Sequence, residues 1–388
     1  MTGAPSRTSR VSQTIKQHTQ RPSSRPGPTV SPLHVGDPDF ATPEFITDAL
    51  CAAVRSGLTH YAQPQGDPLL REALAADLSS RARRPYSDRQ VIVTAGGSPA
   101  INSAILAVVD PGDRVLIPNP TYSLYADSTR LAGGVPEYLP PGRDGRIDLE
   151  LLERRAPGAR LVVLCQPGNP TGGVYTRGEL EQIARTSAEH GLLVLSDEAY
   201  DHIVYHHATF VSALEIDALA DRLIYCQTLS KTFAMTGWRI GYVAAPPDVA
   251  AAAGLIHRTY NGAVNSAVQR AALAAVTTPS TWPADRLADY ERRRKIAVDA
   301  LVDLPGVSFE EPDGAFYVFL RYPHALSSRQ MAGHALAHGV GVRSGSEFGP
   351  AGEGFVRIAF CVEDAQLTTG LARLRTALTT DSPQELTP

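Results

Sequence analysis

A lysine and an arginine close together in the sequence could carry out chemistry on an amine. Lys231 follows the predicted strand 223–226 in the string Thr228-Leu229-Ser230-Lys231, and Arg239 stands eight residues further on. A lysine in a crevice beside a cationic arginine can have a lowered pKa, and such a lysine forms Schiff bases. Taken singly, Lys231 would be interpreted as a solvated surface lysine. A catalytic role is therefore indicated only if other residues suited to the same chemistry lie near it.

A carboxylate and three ring-binding candidates stand near the ends of other predicted strands. Asp197 ends an apolar run, and a buried carboxylate needs a partner, which a protonated pyridine nitrogen would supply. The alternative is that Asp197 caps the turn that follows it. Tyr122 could stack on a ring, while Tyr200 and Asn169 could donate hydrogen bonds to one. Taken alone, each of these three is better explained as a structural residue.

The string Gly96-Gly97-Ser98-Pro99 precedes a predicted helix and favours an anion site. Two glycines let the backbone approach a ligand, Ser98 suits the N-cap, and a helix N-terminus attracts anions. The hydroxyls of Thr228 and Ser230 and the guanidinium of Arg239 would complete a phosphate cup with the Gly97 and Ser98 amides. Phosphate cup, pyridine partner and Schiff-base lysine together indicate pyridoxal 5′-phosphate as cofactor.

These residues must be positioned by strands that end at one edge of a sheet. Short apolar runs alternate with helical segments, a pattern typical of a mainly parallel sheet wrapped by helices. The predicted strands are 91–94, 114–117, 161–165, 192–195, 223–226 and 241–244. The predicted helices are 98–109, 177–190, 248–260, 267–276, 285–301 and a closing helix with Leu367, Leu371, Leu374 and Leu378 on one face. Ligands of such sheets bind beyond the carboxyl ends of the strands, where the candidate residues stand.

Composition excludes several classes of protein. The chain has 388 residues and a formal net charge of −4, which leaves no basic footprint for nucleic acid or anionic membrane. No apolar run approaches the ~20 residues that span a bilayer. Four scattered cysteines, Cys51, Cys165, Cys226 and Cys361, argue against a metal site or a disulfide framework and favour a reducing, cytoplasmic setting. The acid-poor start would also suit an organellar transit peptide, but a poorly ordered arm is the simpler interpretation.

From about Val35 to Leu378, the chain resembles the fold-type I, class I/II aminotransferases of the aspartate aminotransferase superfamily. The resemblance rests on a set of motifs in the expected order. They are Val35-Gly36-Asp37-Pro38-Asp39-Phe40, Tyr61 with Gly66 and Leu70-Arg71-Glu72-Ala73-Leu74, Gly97-Ser98, Asn169-Pro170-Thr171-Gly172, Asp197-Glu198-Ala199-Tyr200, Ser230-Lys231-Thr232-Phe233-Ala234-Met235-Thr236-Gly237-Trp238-Arg239-Ile240-Gly241, Gly314-Ala315-Phe316-Tyr317 and Val356-Arg357-Ile358.

The resemblance implies a fold and a domain division. We expect an α/β protein whose large domain has a mainly parallel, seven-stranded-type sheet between helices, followed by a smaller α+β domain. The expected boundaries are a flexible arm at 1–31, a large cofactor-binding domain at 32–280 whose start also contributes to the small domain, the small domain at 281–379 and a tail at 380–388.

The resemblance also implies residue roles. Lys231 would carry pyridoxal 5′-phosphate as a Schiff base and then move the substrate proton, while Asp197 would keep the pyridine nitrogen protonated. The remaining roles are ring contacts by Tyr122, Asn169 and Tyr200, phosphate contacts by Gly97, Ser98, Thr228, Ser230 and Arg239, and substrate contacts by Gly36, Asn169 and Arg357. Tyr61 would reach the phosphate of the neighbouring subunit, so the active unit would be a homodimer.

The resemblance leaves two reactions open. The first is amino-group exchange between an L-amino acid and a 2-oxo acid. The second is elimination, replacement, C–C bond formation or ring formation on the same fold in a specialised pathway. Two departures bear on this choice, the Pro- and Arg-rich start and the stretch 258–266, which would face the partner subunit. An aminotransferase-like transcription factor is nearly excluded, because some 35 residues before Gly36 are too few for a winged-helix domain.

Overall fold

A seven-stranded sheet forms the centre of the protein. The computed structural model describes residues 9, 12–14, 29–142 and 146–380, so the predicted arm and tail lie almost wholly outside the described residues. The strands are β1 Val91–Thr94, β2 Arg114–Pro118, β3 Val135–Leu139, β4 Ala159–Cys165, β5 Leu193–Asp197, β6 Leu223–Thr228 and β7 Gly241–Ala244. Their order in the sheet is β1-β7-β6-β5-β4-β2-β3. Only β7 runs against its neighbours, β1 and β6, so the predicted mainly parallel α/β sheet is confirmed.

The central strands are mostly apolar because both faces of the sheet are covered. In β4, Leu161 and Val163 pack in one hydrophobic cluster, while Val162 and Leu164 pack in another. Successive side chains of a strand point to opposite faces, so alternate residues enter opposite cores. The covering helices are α1 Glu44–Arg55, α2 Pro68–Ala82, α3 Gly97–Val108, α4 Leu124–Leu131, α5 Leu149–Arg155, α6 Arg177–His190, α7 Leu229–Thr232, α8 Pro247–Asn261 and α9 Ser266–Thr277.

A second, smaller sheet follows in the chain. It consists of β8 Ser308–Phe309, β9 Tyr317–Arg321, β10 Arg343–Ser344 and β11 Phe355–Ala359, in the antiparallel order β10-β11-β9-β8. Three helices accompany it, α10 Trp282–Leu301, α11 Ser328–Ala337 and α12 Asp364–Thr379. The leucine face predicted for the closing helix packs in a separate core with Phe316 and with Leu33 from the start of the chain. The domain boundaries themselves stay a prediction.

Local signals explain where the sequence predicted elements well and where it did not. Helix α6 has the predicted bounds, because Thr176 and Glu179 form a capping box and Gly191 ends the helix in the left-handed conformation. Strand β3 was not predicted. It lies at the sheet edge and contains Pro136 and Glu137, which weaken the apolar pattern of a strand. No helix in the described part of the chain is long and apolar enough to cross a membrane.

Candidate active site

A cavity of about 250 Å³ lies at the carboxyl ends of the central strands, where the second sheet meets the first. It brings together all the site residues predicted for a single chain. These are Gly36, Gly97, Ser98, Tyr122, Asn169, Asp197, Tyr200, Thr228, Ser230, Lys231, Arg239 and Arg357. The residues come from seven separate stretches of the sequence, and the strand ends of the first sheet bring five of these stretches together.

The turn between β1 and α3 forms one wall and requires its glycines. Gly96 has φ +104°, and a Cβ there would stand 2.5 Å from Nη2 of Arg239. A Cβ at Gly97 would lie 3.3 Å from Cβ of Thr228. The helix begins at Gly97 with Gly96 as N-cap, so the expectation that Ser98 caps it is wrong. The backbone itself makes the turn at Gly96, and this leaves Ser98 in the first helical turn and on the cavity wall.

The hydroxyls and the guanidinium of the predicted phosphate cup meet beside this turn. Thr228 donates from Oγ1 to Oγ of Ser230 at 2.8 Å, and the Ser230 amide donates to Oγ1 of Thr228. Arg239 has φ +59°, an uncommon conformation for a residue with a side chain, and its Nη1 donates to the carbonyl of Thr236 at 2.8 Å. Two hydroxyls, a guanidinium and a helix N-terminus therefore face one end of the cavity, a donor set suited to a phosphate.

Asp197 is held at the end of β5 as a buried carboxylate. Its Oδ2 accepts a hydrogen bond from the hydroxyl of Tyr125 at 2.7 Å, and its Oδ1 accepts one from the amide of Ala199 at 3.2 Å. Burial raises the pKa of Asp197, while the Tyr125 hydrogen bond and the nearby Lys231 oppose that rise. A cationic partner in the cavity would stabilise the ionised form.

Lys231 lies in α7, directly after β6, and its amino group is buried. Nζ donates to the carbonyl of Gly36 at 2.6 Å. Burial lowers the pKa of Lys231, and the guanidinium groups of Arg357 and Arg239 lower it further, whereas Cys361 and Asp37 act in the opposite direction. The lowered pKa predicted from the sequence has the right direction, and its main cause is burial.

Arg357 reaches the cavity from β11 of the second sheet. Its Nη1 donates to Oδ1 of Asn169 at 3.0 Å, and its Nη2 donates to the carbonyl of His34 at 2.9 Å. The guanidinium lies 4.1 Å from the ring centroid of Tyr317. Its Nε is buried and finds no hydrogen-bond partner among the described residues. A buried donor without a partner is costly, so this arginine is suited to an anionic ligand.

Two further tyrosines belong to the site, although sequence reasoning gave them no role. Tyr125 holds Asp197, and Tyr317 shares a 2.8 Å hydrogen bond with the hydroxyl of Tyr200. A Cβ at Gly36 would overlap the Tyr317 hydroxyl, so the glycine is needed for this contact. Tyr125 stands three residues after Tyr122, at the start of α4, and the two ring centroids lie 5.8 Å apart. Their spacing in the sequence could have indicated that Tyr125 belongs to the site.

Tyr61 is the one predicted site residue that does not line the cavity. Its side chain is 99% exposed on the surface of the single chain. The prediction places it in the site of a neighbouring subunit, so its role stays a prediction.

Comparison with known proteins identifies the family. The sequence profile of the family described as "Aminotransferase class I and II" matches residues 28–374. The chain belongs to this family. The predicted relationship to fold-type I pyridoxal-phosphate-dependent aminotransferases is thus confirmed, and the protein is an enzyme of the transferase class.

Individual relatives of this aminotransferase differ in their named substrates. An aspartate aminotransferase of Streptomyces avermitilis is 37% identical, over 88% of each chain. An aromatic-amino-acid aminotransferase 2 of Thermococcus litoralis is 35% identical, over 89% of this chain and 91% of the relative. The crystal structure of an aromatic aminotransferase from Pyrococcus horikoshii superposes with a TM-score of 0.87 and 33% identity, covering 95% of this chain and 98% of that one.

Proposed function

We propose that this aminotransferase moves the amino group of an L-amino acid to a 2-oxo acid, with pyridoxal 5′-phosphate held in the cavity. The observation that carries the proposal is the buried guanidinium of Arg357. Its Nε lacks a partner in the same cavity as Lys231, whose pKa is lowered by burial. An anion-binding fork beside an amine with a lowered pKa suits a substrate that carries both a carboxylate and an acidic Cα proton.

The residues of the cavity fit this cofactor at both of its ends. The cup of Thr228, Ser230 and Arg239 beside the α3 N-terminus suits the phosphate, and buried Asp197 suits a protonated pyridine nitrogen. When bound, pyridoxal 5′-phosphate would supply a ring that accepts electrons as the Cα proton leaves. Asp197 would hold the proton on the ring nitrogen, and Tyr122 would contact the ring face.

The protein's own side chains would then orient the substrate and move its proton. Arg357 would bind the α-carboxylate through two parallel N–H groups, exchanging its present bond to the His34 carbonyl for the ligand. Nζ of Lys231, whose neutral form is favoured by burial, would take the proton from Cα. The carbonyl of Gly36, 2.6 Å from Nζ, would keep the amine aimed into the cavity between turnovers.

We propose aspartate as the first amino donor to test, because several relatives carry that name. Arg239 and Arg357 are the arginines among the described cavity residues, and both already have assigned partners in this scheme. A distal carboxylate would therefore need a cation from outside this set, and a partner subunit could supply it in a homodimer.

The deciding experiment is an amino-transfer assay on the enzyme purified with pyridoxal 5′-phosphate. Aspartate and the aromatic amino acids are paired with 2-oxoglutarate, glutamate is paired with oxaloacetate, and both products are quantified by mass spectrometry. We expect equal amounts of new amino acid and new 2-oxo acid. Release of ammonia without any need for a 2-oxo acceptor would overturn amino transfer and favour elimination chemistry.

A matched pair of variants tests the role of Arg357. Arg357→Lys keeps the charge but loses the planar fork, so kcat/KM should fall by about 100-fold, with part of the loss in KM. The control is Arg321→Lys on the neighbouring strand, where the exposed arginine lies over the Phe355 ring and outside the cavity. Equal effects of the two substitutions would remove Arg357 from the substrate site.

Chemical labelling tests the assignment of Lys231. Lys16 and Lys295 are the other lysines of the chain, and Lys295 makes an exposed pair with Asp299. Borohydride reduction of the loaded enzyme, followed by peptide mass spectrometry, should place the cofactor mass on Lys231. Label on Lys295 to the same extent would show nonspecific modification instead.

A further inference from the structure

A buried histidine lies on the side of the Gly96-Gly97 turn that faces away from the cavity, and the proposed function gives it no role. His257 lies in α8 and is 1% exposed. Its Nε2 accepts a hydrogen bond from the backbone amide of Ala95 at 3.0 Å. Ala95 directly precedes Gly96 and Gly97, whose positions decide where the amides of the phosphate cup point. The hydrogen bond from the Ala95 amide to His257 therefore helps to fix the position of the Gly96-Gly97 turn.

The hydrogen bond fixes the protonation state of the ring. Because Nε2 is an acceptor, the neutral ring must carry its proton on Nδ1. Nδ1 is buried and has no hydrogen-bond partner among the described residues. A second proton would have to bind to Nε2. Nε2 would then be a donor facing the Ala95 amide, which is also a donor, and the hydrogen bond between them would be lost.

The surroundings of His257 also favour the neutral ring. The elements packed against α8 include α3, β1, β7 and the short turn Asp88–Gln90. Helix α3 and strand β1 carry no titratable side chain, and the ionisable groups on the other two are Asp88, Arg89 and Tyr242. Asp88 is itself paired with Arg71 at 3.2 Å. Helix α8 adds Asp248, Arg258 and Tyr260. Burial is the cause that lowers the pKa of His257.

We propose that His257 is a positioning residue for the cofactor phosphate, acting through the Ala95 amide to hold the Gly96-Gly97 turn in its phosphate-binding shape. The inference rests on the proposed function, because it takes the turn to be the phosphate site. Neutral His257 keeps the turn in place, and protonated His257 releases it. Affinity for the phosphate group therefore falls as the pH drops through the pKa of His257, which lies below the usual histidine value.

The test measures binding rather than turnover. Two ligands are compared on the apoenzyme by fluorescence titration. Pyridoxine 5′-phosphate carries the ring and the phosphate but no aldehyde, and pyridoxal carries the aldehyde but no phosphate. His257→Leu should weaken pyridoxine 5′-phosphate by about ten-fold, the cost expected for a buried amide left without its acceptor. Pyridoxal should bind with unchanged affinity.

Two amide variants separate positioning from general packing. The side-chain oxygen of His257→Gln can take the place of Nε2 and should restore pyridoxine 5′-phosphate affinity to near wild type. His257→Asn carries the same amide one methylene shorter and should bind as weakly as the leucine variant. If Gln and Asn behave alike, or if all variants lose both ligands equally, the positioning role is overturned. The Gln–Asn comparison remains decisive should the leucine variant fail to fold.

The pH profile supplies an independent readout. Phosphate protonation affects every variant equally, so the informative quantity is the difference between wild type and His257→Gln. We expect wild type to lose additional affinity for pyridoxine 5′-phosphate at acid pH, because only wild type has a ring that can protonate at this site. Parallel profiles would overturn the proposal while leaving amino transfer untouched, because the transfer assay does not depend on this comparison.

Discussion

At the scale of single residues, burial favours the neutral forms of both Asp197 and Lys231, the two ionisable groups at the centre of the site. Burial raises the pKa of Asp197 and lowers that of Lys231. The charge of Lys231 partly offsets the rise at Asp197, whereas Cys361 and Asp37 partly offset the fall at Lys231. A neutral lysine suits a base, whereas the carboxylate must stay ionised to hold a proton on a ring nitrogen. The hydrogen bond from Tyr125 is therefore important, because it favours ionised Asp197.

Tyr125→Phe should move the acid limb of activity to higher pH. The substitution removes the hydroxyl that donates to Oδ2 of Asp197 at 2.7 Å, so the pKa of that carboxyl rises further. Activity that needs ionised Asp197 is present above this pKa and is lost as the pH falls through it. We expect the limb of the kcat/KM profile to shift upward by about one pH unit.

The control for this prediction is Tyr138→Phe, on the edge strand β3 and outside the residues that line the cavity. It removes a tyrosine hydroxyl without touching Asp197, so its profile should match wild type. An unshifted profile for Tyr125→Phe would mean that the backbone amide of Ala199 suffices to hold the charge.

At the scale of elements, the strand–turn–helix unit from β1 to α3 forms the end of the cavity where we propose that the phosphate binds. Gly96 gives the turn a conformation closed to side chains and leaves room for the guanidinium of Arg239. The hydroxyls of Thr228 and Ser230 lie at the end of β6 and directly after it. The neighbouring strand β7 begins beside the same turn, because its Gly241 pairs with both Thr94 and Thr228. Sheet order thus joins two segments more than 100 residues apart in sequence.

Gly96→Ala should lower cofactor affinity by at least about ten-fold, because the new methyl group displaces Arg239 and strains the turn. Gly112→Ala is a matched control. Gly112 also has a positive φ, +92°, but no atom lies within 4 Å of its added Cβ. Both variants should lose some thermal stability from backbone strain, and equilibrium dialysis with pyridoxal 5′-phosphate should show weakened binding for Gly96→Ala alone. Equal losses of affinity would attribute the effect to instability.

At the scale of the whole molecule, the cavity exists because two cores meet. Asp197 comes from the first sheet, Lys231 from the helix directly after β6, and Arg357 from the second sheet. The segment from Leu33 to Asp37 joins them. Leu33 packs in the second core, the His34 carbonyl binds Arg357, and the Gly36 carbonyl binds Lys231. Any movement of the second sheet would therefore change the position of Arg357 relative to Lys231.

A mixing experiment tests whether the site also needs a second chain. Tyr61 is exposed and does not line its own cavity, and we expect it to serve a partner's site. Lys231→Ala and Tyr61→Ala homodimers should each be defective. After unfolding and joint refolding, half of the dimers should be mixed, and each mixed dimer should contain one site with both residues intact. The recovered activity should approach about a quarter of wild type.

The mixed sample is compared with the average of the two variants refolded separately. No gain over that average would mean that Tyr61 does not act across a subunit interface. Size-exclusion chromatography with light scattering on the same samples shows whether dimers are present.

The sequence by itself determined the sheet class, most of the strands and helices, and which residues line the cavity. Apolar runs such as 161–165 and the motifs around Asn169, Asp197 and Lys231 consist of consecutive residues. They can therefore be recognised without knowledge of the tertiary structure. Chain direction in a parallel sheet then required these strand ends to meet at one edge.

Only the tertiary structure decided the contacts that depend on distant segments. The bond from Tyr125 to Asp197, the bond from His257 to Ala95 and the unpaired Nε of Arg357 each depend on packing between residues far apart in sequence. The directions of the pKa shifts of Asp197 and Lys231 follow from burial. Burial depends on packing between distant segments, so the neighbouring residues in the sequence do not determine it. Sequence spacing indicated which residues belong to the site, and packing decided which of them touch.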